Sequence, residues 1–127
     1  MGRSVSGQLD EVIGAVCDTA SAARRLHTTE DDVQDRVRTH QLLGCVTADG
    51  VLVFPVFQFA EDGFPISGLS EVLSTMAQGT ADWWQVALWM CTPSEQLQGR
   101  RPHEALRAGD VDAVQRLAQQ TAARWRY

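Results

Sequence analysis

Residues 82–93 have the sequence Asp-Trp-Trp-Gln-Val-Ala-Leu-Trp-Met-Cys-Thr-Pro, and three of the four tryptophans of the chain lie in this stretch. Asp82 is a good helix N-cap, and Gln85 is placed to complete a capping box. Pro93 should end the helix, because proline disfavours a helical conformation in the residue before it. The stretch therefore predicts a helix of about ten residues.

This predicted tryptophan helix is apolar on two faces, since Gln85 is the one polar residue between Trp83 and Cys91. It is too short to cross a membrane, which needs about 20 apolar residues. We therefore expect protein to cover it all round, with the rest of its own domain on one face and a partner on the other.

The chain has 127 residues, which fits one domain with a real core. Its net charge of −5 is unevenly distributed. Residues 1–45 carry 5 Arg and 7 acids, residues 46–99 carry 6 acids and no base, and residues 100–127 carry 6 Arg and 3 acids. An acidic protein is a poor candidate for nucleic-acid binding.

The composition also bears on location and chemistry. The three cysteines, Cys17, Cys45 and Cys91, are widely spaced, which is typical of reduced thiols in a cytoplasmic protein, and Cys17 and Cys91 are expected on apolar helical faces. There is no secretion signal and no membrane-spanning run. The sequence contains no recognisable catalytic motif, and its histidines lack the spacing of zinc ligands. We therefore expect no enzyme activity, no metal and no cofactor.

The amino-terminal part, residues 1–41, predicts two helices. Apolar residues recur at helical spacing from Gln8 to Leu26, and Thr29 resembles the cap of a second helix that reaches about Gln41. The pair fits either a helix-turn-helix or an ordinary helical hairpin, and periodicity does not decide between them.

The middle part, residues 42–79, predicts a β-hairpin and a helix. Cys45–Phe54 contains the turn pair Asp49-Gly50, and the second strand should lie at a sheet edge or end at Pro55. Residues 56–59 should continue extended. Ser67 is a possible cap for the following helix, and Gly79 is placed to end it.

The last part, residues 80–127, adds two helices to the tryptophan helix. Pro102–Ala108 is predicted as a short helix ended by Gly109, and Asp110 should cap a final amphipathic helix. The predicted fold is thus mainly α, with five to six helices and one β-hairpin in one compact unit. A winged-helix-like amino-terminal half is an open alternative.

Several motifs together resemble a known family. They are Trp84, Leu88-Trp89, Thr92-Pro93-Ser94, Leu97, Gly99-Arg100-Arg101-Pro102 and Ala105-Leu106-Arg107-Ala108-Gly109, preceded by Phe54-Pro55, Gln58-Phe59 and Asp62-Gly63. Over about residues 42–124 the chain resembles the toxin-binding domain of the Xre/MbcA/ParS antitoxins. The resemblance implies an antitoxin that binds a RES-domain toxin, an NAD-degrading enzyme, and covers the entrance to its active site. It also implies self-association and, in many members, a DNA-binding helix-turn-helix that represses the operon.

Two sets of candidate binding residues follow from these interpretations. The candidates for toxin binding are Trp84, Leu97, Arg100, Arg101, Arg124, Arg126 and Tyr127. In the alternative, a DNA-binding regulator, Cys45–Phe54 is a wing and the phosphates are contacted by Arg24, Arg25, Arg36 and Arg38. The excess of acids in residues 1–45 predicts weak DNA binding. A dimerisation module with another partner is a third possibility.

Overall fold

A computed structural model describes residues 11–126 of the protein. It is mainly helical with a small antiparallel sheet, as the sequence predicts. In chain order the elements are β1 (Val16–Asp18), α1 (Thr19–Leu26), α2 (Glu30–Arg38), β2 (Cys45–Val46), β3 (Leu52–Pro55), a 3-10 turn (Val56–Gln58), α3 (Leu69–Met76), α4 (Trp83–Met90), a 3-10 turn (Glu95–Leu97), α5 (Pro102–Arg107) and α6 (Val111–Arg126).

The predicted helix over Gln8–Leu26 is wrong in its middle. Residues 11–13 are helical, and the helix breaks at Gly14, which adopts a left-handed conformation with φ of 83°. Val16–Asp18 then pairs with β3, so Cys17 lies in a strand opposite Phe54 and not on a helical face. Asp18 starts α1 by accepting a hydrogen bond from the Ser21 amide at 2.8 Å.

The second predicted helix is confirmed as α2, but it ends earlier than predicted. Thr29 is its cap, and its hydroxyl accepts a hydrogen bond from the Asp32 amide at 3.1 Å. The helix ends at Arg38, before the predicted Gln41, because His40 adopts a left-handed conformation with φ of 62°.

The predicted hairpin is confirmed, and β1 adds a third strand to it. The strand order is β1-β3-β2. Strand β3 is therefore central and not at an edge, and it ends at Pro55, which has no amide hydrogen for further pairing. Residues 56–58 form a 3-10 turn instead of continuing extended.

In the carboxyl-terminal half the predicted helices are confirmed, and the cap of α3 differs from the predicted one. Gly68, with φ of 86°, is the cap of α3 in place of Ser67. Asp82 caps α4 as predicted, but the Gln85 side chain accepts a hydrogen bond from the Thr80 hydroxyl at 2.8 Å instead of closing a capping box. Gly79 follows the end of α3, and its α-carbon faces the Ala122 backbone of α6.

The sheet lies between two groups of buried side chains. Alternate residues of a strand point to opposite faces. Phe54 contributes to a group that includes Ala22, Ala23, Leu26, Val33, Leu42 and Phe59. Its neighbour Val53 contributes to a larger group built by α3, α4, α5 and α6. The two halves thus share one sheet as a common wall.

The tryptophan helix α4 is buried on one face and partly exposed on the other. Val86, Ala87 and Met90 are fully buried, whereas Leu88 is 38% exposed and the three tryptophans are half-buried. The chain itself therefore covers one face of α4, and the partner expected on the other face stays a prediction. Among the described residues, no helix combines the length and apolar character needed to cross a bilayer.

Candidate nucleic-acid interface

Helices α1 and α2 follow one another as a helix, a short turn and a helix. They are 8 and 9 residues long and are joined by residues 27–29. His27 ends α1 in the left-handed conformation (φ 56°, ψ 47°), and its amide donates to the carbonyl oxygens of Ala23 and Arg24. A turn of three to four residues that redirects the chain is typical of this motif.

The motif has its own small core. Ala22, Ala23 and Leu26 of α1 are buried, and Val33 of α2 is completely buried. The small alanine side chains let the two helices approach closely, and Phe54 of the sheet covers them from below. The two helices therefore pack against each other and against the sheet through one group of buried side chains.

The hairpin after α2 occupies the position of a wing. Its loop is closed by hydrogen bonds from the Thr47 amide to the Val51 carbonyl and from the Gly50 amide to the Thr47 carbonyl, both 2.9 Å long. The order strand, two helices and hairpin, with β1 beside β3, is the topology of a winged helix.

The solvent face of α2 carries hydrogen-bonding side chains. Its exposed residues are Glu30, Asp31, Gln34, Asp35 and Arg38. Carboxylates, amides and guanidinium groups are the side chains that read base edges in the major groove. The face is nevertheless acidic, which works against approach to phosphates.

The four arginines proposed for DNA contact divide into two pairs. Arg36 is bound to Asp32 at 2.8 Å, and Arg38 forms an ion pair with Asp35. A hydrogen bond from Thr28 and then the Arg36 guanidinium lower the pKa of Asp32. Arg24 and Arg25 are exposed and form no ion pair with a described residue.

Arg24 and Arg25 are held by weaker contacts. The Arg24 guanidinium donates to the Ser21 hydroxyl at 3.1 Å. The Arg25 guanidinium lies 5.5 Å from the centre of the Phe59 ring, within the range of a cation–π contact. Both cations stay accessible to an anionic ligand.

The carboxyl-terminal half contacts the wing through Trp83 and Trp84. The Trp84 indole donates from Nε1 to the Val46 carbonyl of β2 at 2.7 Å. The Trp83 ring lies 5.5 Å from the His40 ring, and the Cys45 thiol contacts the Trp83 carbonyl at 3.5 Å. Trp84, a candidate for toxin binding, is therefore half-buried and engaged within the chain.

A second set of contacts joins α5 to the segment just after β3. The Arg107 guanidinium of α5 donates to the Phe57 carbonyl at 2.7 Å, and the His103 ring stacks on Phe57 with 4.8 Å between ring centres. Both contacts fix the segment that leaves the sheet. No periodic pattern in the sequence predicts these contacts, because they join residues about 50 positions apart.

The other candidates for toxin binding fall into separate groups. Leu97 is 1% exposed and cannot contact a partner in this fold, so its proposed role is wrong. Arg100 is paired with Asp110 at 2.7 Å, and Arg101 with Glu104 at 3.3 Å.

At the far end of α6, Arg124 and Arg126 are exposed, whereas Tyr127 lies outside the described residues. Asp110 precedes the first turn of α6, so Arg124 stands about 20 Å further along the helix. The structure therefore does not bring the whole candidate set together on one surface.

Among residues 11–126 there is no group of three potential metal ligands. Burial raises the pKa of Cys45 to about 12 and that of Cys91 to about 11, which keeps both thiols protonated and weakly nucleophilic.

Comparison with known proteins supports the fold. No protein-family model matches the chain, and a search of curated proteins finds no match. The chain is similar to the NMR structure of Rv2175c, with a TM-score of 0.72 and 25% sequence identity over 85% of this chain and 81% of that chain. An experimentally determined protein thus has the same arrangement of helices and strands over most of its length.

Proposed function

We propose that the protein is a cytoplasmic DNA-binding regulator whose winged helix reads duplex DNA. The observation that carries the proposal is the combination of the three-residue turn between α1 and α2, their independent core, and the wing beside them. An ordinary helical hairpin does not require these three features in combination.

Helix α2 is the element that enters the major groove in this proposal. Gln34 lies in the middle of its exposed face, where a side-chain amide can bind adenine through two hydrogen bonds. Arg24 and Arg25 supply phosphate contacts. Because α2 is acidic, the affinity of one chain for DNA is low.

The test is fluorescence anisotropy with duplexes of about 25 base pairs, selected by the protein from a random library at low salt. We expect the selected duplex to bind more tightly than a scrambled one. Gln34→Ala should reduce this preference by about 1–3 kcal/mol. The control is Gln78→Ala, which changes an exposed glutamine after α3 and should bind like the wild type. Selection without enrichment of any sequence would contradict the proposal.

A second candidate function is neutralisation of a RES-domain toxin. It is favoured by the motif resemblance together with the uncovered side of α4, where Leu88 is 38% exposed beside the half-buried Trp84. An apolar patch on a helix otherwise embedded in its domain fits a protein partner.

The test of this second function begins with the neighbouring gene. If it encodes a RES-domain protein, co-expression with the chain should restore growth and NAD levels in cells making that protein. Leu88→Glu should abolish the rescue, and Glu71→Gln, an exposed change on α3, should not. NAD levels that stay low with wild-type chain present would exclude this function.

A further inference from the structure

We infer that the exposed face of α6 binds the phosphate backbone of duplex DNA beside the site of the winged helix. The inference rests on the proposed DNA-binding function and extends it to the carboxyl-terminal half. Its ligand is the phosphodiester backbone, read without regard to base sequence.

The charge of α6 is the first observation. Residues 113–126 contain three arginines and no acidic residue. Arg116, Arg124 and Arg126 are exposed and form no ion pair with any residue in the described part of the chain. These three cations therefore have no partner within residues 11–126.

The arrangement of the side chains is the second observation. The buried face of α6 is formed by Val114, Leu117, Ala118, Thr121 and Ala122. On the opposite face Gln119 and Gln120 are exposed between the arginines. Arg116 and Arg124 are eight residues apart, which is about 12 Å along the helix axis. Guanidinium and amide side chains both donate hydrogen bonds to phosphate oxygens.

The helix dipole explains only part of this pattern. Cations in the last turn are favoured by the negative end of the dipole, which accounts for Arg124 and Arg126. That effect falls off within one turn, so it does not account for Arg116 or for the two exposed glutamines.

The position of α6 is the third observation. Gly79 lies directly against α6, since a β-carbon added to it would be 2.6 Å from the Ala122 carbonyl oxygen. The next residue, Thr80, is hydrogen-bonded to Gln85 of α4, and Trp83 at the start of α4 contacts His40 just after α2. These successive contacts link the carboxyl-terminal part of α6, through residues 79–83, to the residues that follow α2.

The winged helix needs such a supplement. Residues 16–59 carry four arginines and six acids, and Arg36 and Arg38 are already paired with acids. A DNA-binding element whose own surface repels phosphates gains affinity from cations on an adjoining helix. In this fold α6 supplies them.

The experiment measures DNA affinity against salt for the full chain. The probes are the selected duplex of about 25 base pairs and its scrambled counterpart. The test variant is Arg116→Gln with Arg124→Gln. The control is Arg100→Gln with Arg101→Gln. It also removes two positive charges, but from arginines that form ion pairs with Asp110 and Glu104. Circular dichroism establishes that both variants remain folded.

We expect the test variant to bind both duplexes about tenfold more weakly and to lower the salt slope by about two, because each lost phosphate contact contributes about 0.9. The control should keep the wild-type slope. If the test variant binds DNA as the wild type does, the inference is wrong and the winged-helix proposal stands. If the wild type binds neither duplex at low salt, both fail. If the test variant keeps its DNA affinity but loses self-association in sedimentation, α6 binds the acidic surface of a second copy instead.

Discussion

Gln58 is completely buried and joins three main-chain groups through its side-chain amide. Its Oε1 accepts a hydrogen bond from the Leu43 amide at 2.8 Å, and its Nε2 donates to the carbonyl oxygens of Leu43 at 2.9 Å and Pro55 at 3.0 Å. The side chain thereby ties the segment before β2 to the end of β3. A buried polar group with all its partners is stabilising, and its loss leaves those partners unsatisfied.

Gln58→Leu should therefore destabilise the protein by about 3 kcal/mol, because it leaves one amide and two carbonyl groups buried without partners. Urea unfolding followed by tryptophan fluorescence measures the loss. Gln78→Leu makes the same chemical change at an exposed site and should cost no more than about 0.5 kcal/mol. Equal stability of the two variants would show that the Gln58 network contributes nothing.

His103 should make stability depend on pH. Its ring is stacked on Phe57 and its Nδ1 is buried without a partner among the described residues. Burial lowers the pKa of His103 from its usual 6.5, against the opposing effect of Glu104. The unfolded chain therefore binds the proton more tightly than the folded chain. The neutral His103 side chain therefore contributes its full stabilisation of the folded state above about pH 6.5. This stabilisation is lost as the pH falls through the pKa of His103 in the folded state.

The measurement is the melting temperature between about pH 5 and about pH 7.5. The melting temperature of the wild type should fall towards the acid end of this range. In His103→Phe, which keeps a ring against Phe57, the fall should be smaller. A wild type and variant with parallel pH profiles would assign the fall to other groups.

At the scale of elements, the contact of α3 with α6 depends on the absence of a side chain at Gly79. A β-carbon there would lie 2.6 Å from the carbonyl oxygen and 2.7 Å from the α-carbon of Ala122. Both are backbone atoms and cannot rotate away. Gly79→Ala should therefore cost about 1–3 kcal/mol through displacement of α6.

Gly109→Ala separates this steric effect from backbone strain. Gly109 has φ of 93° but no atom within 4 Å of an added β-carbon. Its substitution should cost about 1–2 kcal/mol from the left-handed conformation and leave α6 in place. Chemical denaturation measures the loss in free energy of unfolding for both variants. A shift of the Trp125 fluorescence in Gly79→Ala, and not in Gly109→Ala, would identify the displacement; its absence would refute it.

The elements that could be predicted from sequence were those with long or local signals. The apolar stripe of α6, the Asp82 cap and the Asp49-Gly50 turn each depend on residues close in the chain, and all were found. Strand β1 was missed because it has three residues, and Val16 and Cys17 continue the helical spacing of their neighbours. Gly14 was the local sign of the break.

The candidate site was harder to predict, because its contacts are long-range. The sequence indicated a helical pair with Cys45–Phe54 as a possible wing, but it did not predict that β1 joins this hairpin as a third strand. The ion pairs of Arg36, Arg38, Arg100 and Arg101 could not be assigned either, since the sequence does not reveal which acids face them.

At the scale of the whole molecule, one apolar surface crosses both halves of the fold. Val46 of β2 is 56% exposed, and its carbonyl oxygen is bound by the Trp84 indole. Leu88 lies one helical turn beyond Trp84 and is 38% exposed. The wing and the tryptophan helix thus form a continuous patch, and an exposed apolar patch favours association.

We therefore expect the chain to form a dimer through this patch. A two-fold dimer would present two winged helices, and the spacing of their half-sites on DNA would reflect its geometry. Assembly would also double the phosphate contacts available to a chain that binds DNA weakly on its own.

Sedimentation velocity at tens of micromolar tests this expectation without DNA. The wild type should sediment as a dimer, and Leu88→Glu should shift it to monomer because a charge would be buried at the interface. Val12→Glu is the matched control, since Val12 is 47% exposed and lies outside the patch. If the wild type is monomeric, or if both variants dissociate equally, the patch of Val46, Trp84 and Leu88 is not a dimer interface. The uncovered side of α4 would then remain open to another protein, as in the second function proposed above.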